Sequence, residues 1–280
     1  MASACALHRM SGSPEMAPPS GVNRKPVTEE RLRHDLQGIG IRPGVSLIVH
    51  SSLRAVGWVL GGAPTLVRAL LTTVGDEGHL AMPAATPHCA DPATWREPKV
   101  RQDWLDELRD HLPLFDLRTT PTVLGAIPET FRTWPGTCRS PHPLESVCVR
   151  GPHAIAVTSE HPLAFSEGPG SPFDKLLGLD SFILLLGVGF NRCTALHFAE
   201  SLTPRRRTAT VRFPRLEGAR RVWIEVPNVA DDNDTHFPII GSHYMAAGRV
   251  TEGQIGEAKA LFFRMSDLVE FACAYFARLP

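Results

Sequence analysis

The sequence has no surplus of charge of either sign: Lys and Arg together number 29, and so do Asp and Glu. A chain without a global field does not gather on nucleic acid or on an anionic membrane by charge alone, so neither partner is expected. A cationic ligand would need a local acidic patch. There is no CxxC spacing either. The six cysteines (Cys5, Cys89, Cys138, Cys148, Cys193 and Cys273) are scattered, which argues against a disulfide framework or a zinc ribbon and fits a reducing, cytoplasmic setting. The longest apolar run, residues 182–188 (FILLLGV), is far too short to span a bilayer. Residues 1–25 lack the continuous apolar core of an export signal. Their Ser, Pro and Gly content reads as a loose, disordered tail extending to residue 27. A Walker A loop and a GxGxxG turn are also missing, which removes support from NTP and dinucleotide readings.

What is present is an ordinary core-forming composition, with 43% hydrophobic and 21% charged residues in 280. An α/β chain of this length commonly forms one body, here residues 28–280. Thr28, followed by Glu29 and Glu30, reads as a helix start, and Leu32, Leu36 and Ile39 keep helical spacing. VSLIVH (45–50) reads as a buried strand. Pro64 suits the first turn of a helix that ends near Gly75, and residues 78–83 read as the next strand. Helix, strand, helix, strand favours a parallel sheet with crossovers. Further on, short helices are expected at 104–112 and 126–134, a strand at 182–188, a helix at 194–202 and a hairpin from 211–214 and 221–226. Residues 255–279 read as one or two helices.

Two constellations carry chemistry. HSSLRAVGWVLGG (50–62) places hydroxyls, glycines and backbone N–H groups between a buried strand and a helix, where α/β sheets present ligands. Alone it reads equally well as a simple turn. LLLGVGFNRCTALHFAE (184–200) runs from a buried strand through a glycine turn into a helix. Spacing of three puts Thr194, His197 and Glu200 on one helix face. Imidazole is the usual group for taking a proton from an amine nucleophile. The bland alternative is a histidine bonded to Glu200 on a solvated face.

These two blocks, together with FRTWPGTCRSPHPLESV (131–147) and GSPFDKLL (170–177), resemble successive blocks of the aminoglycoside 3-N-acetyltransferase family, in order and in spacing. The resemblance covers residues 28–278. It implies an α/β body of the antibiotic N-acetyltransferase type, distinct from the GNAT fold, with a mixed or parallel central sheet flanked by helices. It implies transfer of acetyl from acetyl-CoA to the 3-amino group of a 2-deoxystreptamine aminoglycoside, conferring resistance, with no metal. By position, His50, Ser51, Ser52, Leu53, Val56, Gly57, Gly61 and Gly62, with Arg139 and Ser140, would hold the cosubstrate. His197 would be the general base, Thr194 an oxyanion donor, Glu200 a neighbour on the same face, and Asp234 the carboxylate orienting the imidazole, with Asp232 as substitute. A homodimer is left open.

One departure bears on the acceptor. Several relatives carry a Leu-Asp and a further Glu ahead of the Ser-Pro; this chain has Leu163-Ala164 and Pro169-Gly170, with Glu167 the acid between them. Compensating acids are sought in Asp91, Asp103, Asp106, Glu107, Asp110 and Asp116, although each also reads as a solvated surface acid. Three other readings stay open: a family member acting on a different amine, a CoA-binding module without activity, and a metal-dependent hydrolase using His197 with Asp231, Asp232 and Asp234. Cys193, four residues before His197, permits an acyl-cysteine route. A zinc site drawn from Cys193, His197, Asp234, His236 or His243 has the ligand types but no recognised spacing. Arg205, Arg206 and Arg207 form a basic run that reads as a solvated turn.

Overall fold

A computed structural model describes residues 25–95, 99–204, 206–230 and 234–279. Nine strands are found among them: β1 (Ser46–Ser51), β2 (His79–Pro83), β3 (Cys138–Arg139), β4 (Val147–Arg150), β5 (Phe182–Leu186), β6 (Thr208–Glu217), β7 (Arg220–Val229), β8 (Thr251–Ile255) and β9 (Ala258–Arg264). The α-helices are α1 (Glu29–Gly38), α2 (Leu53–Val56), α3 (Gly62–Val74), α4 (Leu105–His111), α5 (Ala126–Arg132), α6 (Ala154–Thr158), α7 (Pro172–Gly178), α8 (Ala195–Ser201), α9 (His236–Ala246) and α10 (Met265–Phe276). The expected tail falls outside the described residues up to residue 24. Val27 is fully buried, and it bridges Val59 in parallel.

Seven strands form one sheet in the order β3-β4-β2-β1-β5-β9-β8. Its centre, β2-β1-β5, is parallel, and antiparallel strands extend it on both sides. The fold is therefore a mixed α/β sheet flanked by helices. Central strands covered on both faces need apolar side chains on both, which is why LIV (47–49) and FILLL (182–186) read as unbroken runs. Leu47, Val49, Leu184 and Leu186 pack toward α1 and α3 in one layer. Ile48, Ile183 and Leu185 pack toward α8 and α10 in the other, with Leu196, Phe198 and Leu268. The chain leaving β1 crosses on the first face and the chain leaving β5 on the second. The C-terminal ends of β1 and β5 therefore lie at a topological switch point, the place where open α/β sheets hold ligands.

The C-terminal expectation needs correction. Residues 255–264 are not helical: β8 and β9 form a hairpin about Gly256 (φ +61°), and β9 pairs with β5, Leu184 facing Phe262. The run Ala258-Lys-Ala-Leu-Phe-Phe offers too few polar residues for a surface helix, and it fills a strand position buried beside β5. Only Met265–Phe276 is helix. The expected hairpin is present and longer, as a separate two-stranded sheet of β6 and β7. It is fastened to the body by Asp91, which receives Arg212 at 2.6 Å, and by fully buried Phe213.

Candidate active site

A cleft of about 680 Å³ opens at the ends of the central strands. Strand β1 supplies Val49, His50 and Ser51, the chain after β2 supplies Ala85, and the chain after β5 supplies Val188. Other walls are Val123, Leu124, Glu145, Glu167, Arg192, Thr194 and His197, with Val211 and Asn228 from the hairpin.

Helix α8 starts after the turn at Gly187, whose φ is +67° and where an added Cβ would lie 2.3 Å from the Ala55 Cβ. Only glycine lets the chain leave β5 so close to α2. Thr194 caps the helix, and His197 follows one turn later with its N–H on the Thr194 carbonyl at 3.0 Å. The His197 Nδ1 lies 3.2 Å from Glu200 Oε2, with side chains only 13% and 9% exposed. The ring edge meets Phe237 at 4.7 Å between centroids. Carboxylate and aromatic ring together fix the imidazole plane.

The carboxylate expected beside the ring was Asp234, with Asp232 as substitute. Glu200 is bonded to His197, whereas Asp234 is exposed and accepts from Asn191 Nδ2 at 3.3 Å. Asp231 and Asp232 lie outside the described residues. Cys193 is fully buried, and burial pushes its thiol up to about 12, so it is no thiolate nucleophile at neutral pH. Among the described residues no group of three or more His, Cys, Asp or Glu converges as a metal site would.

Of the loop residues expected to hold the cosubstrate, His50 and Ser51 line the cleft. Ser52 instead caps α2, accepting from the Ala55 N–H at 3.4 Å. Leu53 and Val56 pack into the core beside α3. Gly57 (φ +95°) lies against the Glu257 side chain, Gly61 caps α3 in the left-handed region, and Gly62 begins that helix. Arg139 and Ser140 are buried and consumed internally. Arg139 donates to Ser146 Oγ at 2.9 Å and to the Thr120 and Ala84 carbonyls, while Ser140 Oγ lies 2.8 Å from His161 Nδ1. Both are braces, not wall residues of the cleft.

The acids divide sharply. Asp91 is 3% exposed and held by Arg109 at 3.0 and 3.1 Å as well as by Arg212. Burial alone would raise its carboxyl, but the bonds from Arg109, the Ala93 N–H and Arg212 outweigh it and hold the group below the ordinary carboxylate range. Asp103 pairs with Arg101, Asp110 is exposed on α4, and Asp116 closes a turn with Thr119. None of these four lines the cleft. Glu167 does, only 5% exposed. The loop bearing it is tightly built. Phe165 sits at positive φ (49°), and its N–H bonds the Pro227 carbonyl at 3.0 Å. The Ser166 carbonyl takes the His161 Nε2–H at 2.7 Å, which places a lone pair on Nδ1 for the Ser140 hydroxyl. Asn228 donates to Ser166 Oγ at 2.9 Å, and Ser166 donates to Glu167 Oε2 at 2.6 Å. His142 accepts the Leu144 and Glu145 N–H groups on Nδ1 and so fixes the backbone from which Glu145 reaches the cleft.

Sequence reasoning missed Glu145, Arg192 and Asn228. The first two lie inside blocks singled out for other residues, so their position was visible although their role was not. Asn228 had no signal beyond ending a strand.

A family model described as Aminoglycoside 3-N-acetyltransferase matches residues 48–277. The chain is similar to the SPbeta prophage-derived aminoglycoside N(3')-acetyltransferase-like protein YokD of Bacillus subtilis (strain 168), 34% identical over 253 residues, covering 90% of this chain and 93% of that one. It is likewise 34% identical over 263 residues to aminoglycoside N(3)-acetyltransferase III of Pseudomonas aeruginosa, with 88% and 92% covered. The crystal structure of YokD superposes with a TM-score of 0.87 at 33% identity, over 91% of this chain and 94% of that one. AAC-IIIb in binary complex with CoASH gives 0.80 at 28% identity, over 90% and 96%. AAC-VIa bound to sisomicin gives 0.80 at 29%, over 90% and 97%.

Proposed function

The chain belongs to the aminoglycoside 3-N-acetyltransferase family, and from that premise we propose that its cleft moves acetyl from acetyl-CoA to the 3-amino group of a 2-deoxystreptamine aminoglycoside, with His197 as general base. The observation that carries this reading is His197, bonded to Glu200 at 3.2 Å and lining a cleft of about 680 Å³. Relatives of the same fold hold CoASH in one case and sisomicin in another.

In this reading His197 takes the proton as the acceptor nitrogen attacks the thioester carbonyl. Glu200 stabilises the imidazolium that forms, as the carboxylate does in triads. Glu167 and Glu145 offer negative charge to the acceptor's other ammonium groups. Direct transfer needs no acyl-enzyme, in keeping with the buried thiol of Cys193. An acyl donor made inside cells puts the reaction in the cytoplasm. No described helix is long and apolar enough to cross a membrane.

One observation favours a second reading within the same chemistry. The aspartates expected to grip a polycation, Asp91, Asp103, Asp110 and Asp116, lie outside the cleft lining, while Val123, Leu124, Val188 and Val211 make apolar wall. An acceptor amine with fewer charges fits that wall. Thiol release from acetyl-CoA, measured over aminoglycosides of rising amino-group number and over simple amines, separates the two. Turnover with no amine at all would end both. In the same assay His197→Ala should lose about a thousandfold or more in kcat while binding CoA as wild type does; near-normal turnover would remove His197 from the role.

A further inference from the structure

A second imidazole in the cleft has no part in the proton transfer just described. His50 is the penultimate residue of β1 and is 8% exposed. Along the strand it follows Ile48 on the face toward α8, and its register partner is Leu185, which packs in that same layer. It therefore looks toward the layer that carries His197. Among the described residues it makes no hydrogen bond. Its Nε2 is shut off from solvent without a partner, and so is the neighbouring Ser51 Oγ. His50 also lines the cleft, and its Nδ1 is not among the closed-off atoms, so Nδ1 is the ring atom that a ligand in the cleft can reach.

The ring's protonation follows from the same geometry. Burial pulls its titration down to about 4, so the imidazole is uncharged near neutrality and carries one proton. A buried N–H without an acceptor is rarer and worse tolerated than a buried lone pair. The lone pair therefore falls on closed-off Nε2 and the proton on Nδ1. What the cleft meets is a neutral N–H donor.

We propose that His50 is a catalytic residue that donates this N–H to the acyl carbonyl oxygen of the thioester, holding the oxyanion while His197 handles the proton. The step balances within the reaction already proposed. The acceptor nitrogen forms the N–C bond with its lone pair, and the carbonyl π pair moves onto oxygen beside His50. Collapse of that oxyanion breaks the C–S bond and releases CoA thiolate, which regains the proton that His197 took from nitrogen. A neutral donor suits the task because it strengthens its bond as charge develops on oxygen and does not compete for the amine's proton.

This inference rests on the acetyl-CoA reading, and the test keeps the two apart. His50→Phe keeps an aromatic shape without the donor. It should lower kcat about 100-fold, the usual loss for one oxyanion donor, with CoA affinity within about threefold of wild type. His50→Asn puts an amide N–H where Nδ1 stood and should recover at least about tenfold of that loss, more than His50→Gln does. In the wild-type protein, which needs no variant to fold, the ¹⁵N resonance of His50 Nδ1 should shift with S-acetonyl-CoA, whose ketone mimics the acyl carbonyl, and stay in place with S-propyl-CoA, which has none. An unchanged resonance with bound S-acetonyl-CoA, or a His50→Phe enzyme at full kcat, overturns the role of His50 alone. If the wild type binds neither analogue nor CoA, the acetyl-CoA reading itself fails.

Discussion

Replacing Glu200 with Gln keeps its size and removes its charge, which isolates what the carboxylate contributes to His197. The pair stands at 3.2 Å, with both side chains more than four-fifths buried. With an effective dielectric of about 20, a full ion pair at that distance would be worth about 5 kcal/mol, a ceiling that a partly transferred proton does not reach. A hydrogen bond to a charged group contributes about 1.5–3 kcal/mol. A transition-state loss of about 2–3 kcal/mol follows, or roughly 30- to 150-fold in kcat. Thiol release supplies that number, and titration with CoA checks that the fold is intact. Full turnover in Glu200→Gln, or a loss of CoA affinity as large as the loss of kcat, would refute the argument.

Glu167→Gln should raise KM for a multiply charged acceptor roughly 10- to 100-fold and leave the acetyl-CoA KM unchanged, since a charge-assisted bond is what it removes; equal effects on a mono-amine would count against it. Asp91→Ala should destabilise the protein by about 2–3 kcal/mol, below the figure for a wholly buried pair because Arg109 and Arg212 keep 28% and 30% exposure. The Asp91 carboxyl is held below its usual range, so its contribution exists above the unfolded value near pH 4 and is lost as pH falls through the folded one; urea melts should show the gap between wild type and variant closing in acid. Gly187→Ala meets both a left-handed backbone and the Ala55 Cβ at 2.3 Å, which costs about 2–5 kcal/mol and should lower Tm by roughly 5–15 °C. An unchanged melting curve would mean that the turn after β5 has slack the geometry does not show.

The centre of the fold was legible because its signals are local and redundant. LIV within β1 and FILLL are apolar at consecutive positions, as a strand covered on both faces requires, and the order of helix and strand through residue 83 favours crossovers. The outer strands gave weaker signals. Residues 255–264 are apolar enough for a helix, and what makes them a strand is β5 alongside, whose Leu184 faces Phe262. That neighbour lies about 80 residues earlier in the chain, so no window of sequence contains it.

The site divides along the same line. Thr194, His197 and Glu200 share a helix face by spacing alone, and the structure keeps them on it; His197, bonded to Glu200, lines the cleft, so the bond does not argue against a role for the ring. Asp91 was offered to a ligand, but its charge is spent on Arg109 and Arg212, 18 and 121 residues away, and a carboxylate already held by two guanidinium groups has little left to offer an ammonium. Glu167 has the opposite history: its loop holds it with Ser166 and Asn228, neutral groups that orient a carboxylate without cancelling its charge. A buried acid is thus available to substrate according to whether its fixed neighbours are neutral or cationic. For acids in long loops that property depends on distant chain, which is why acceptor specificity is the part of this protein that its sequence states least.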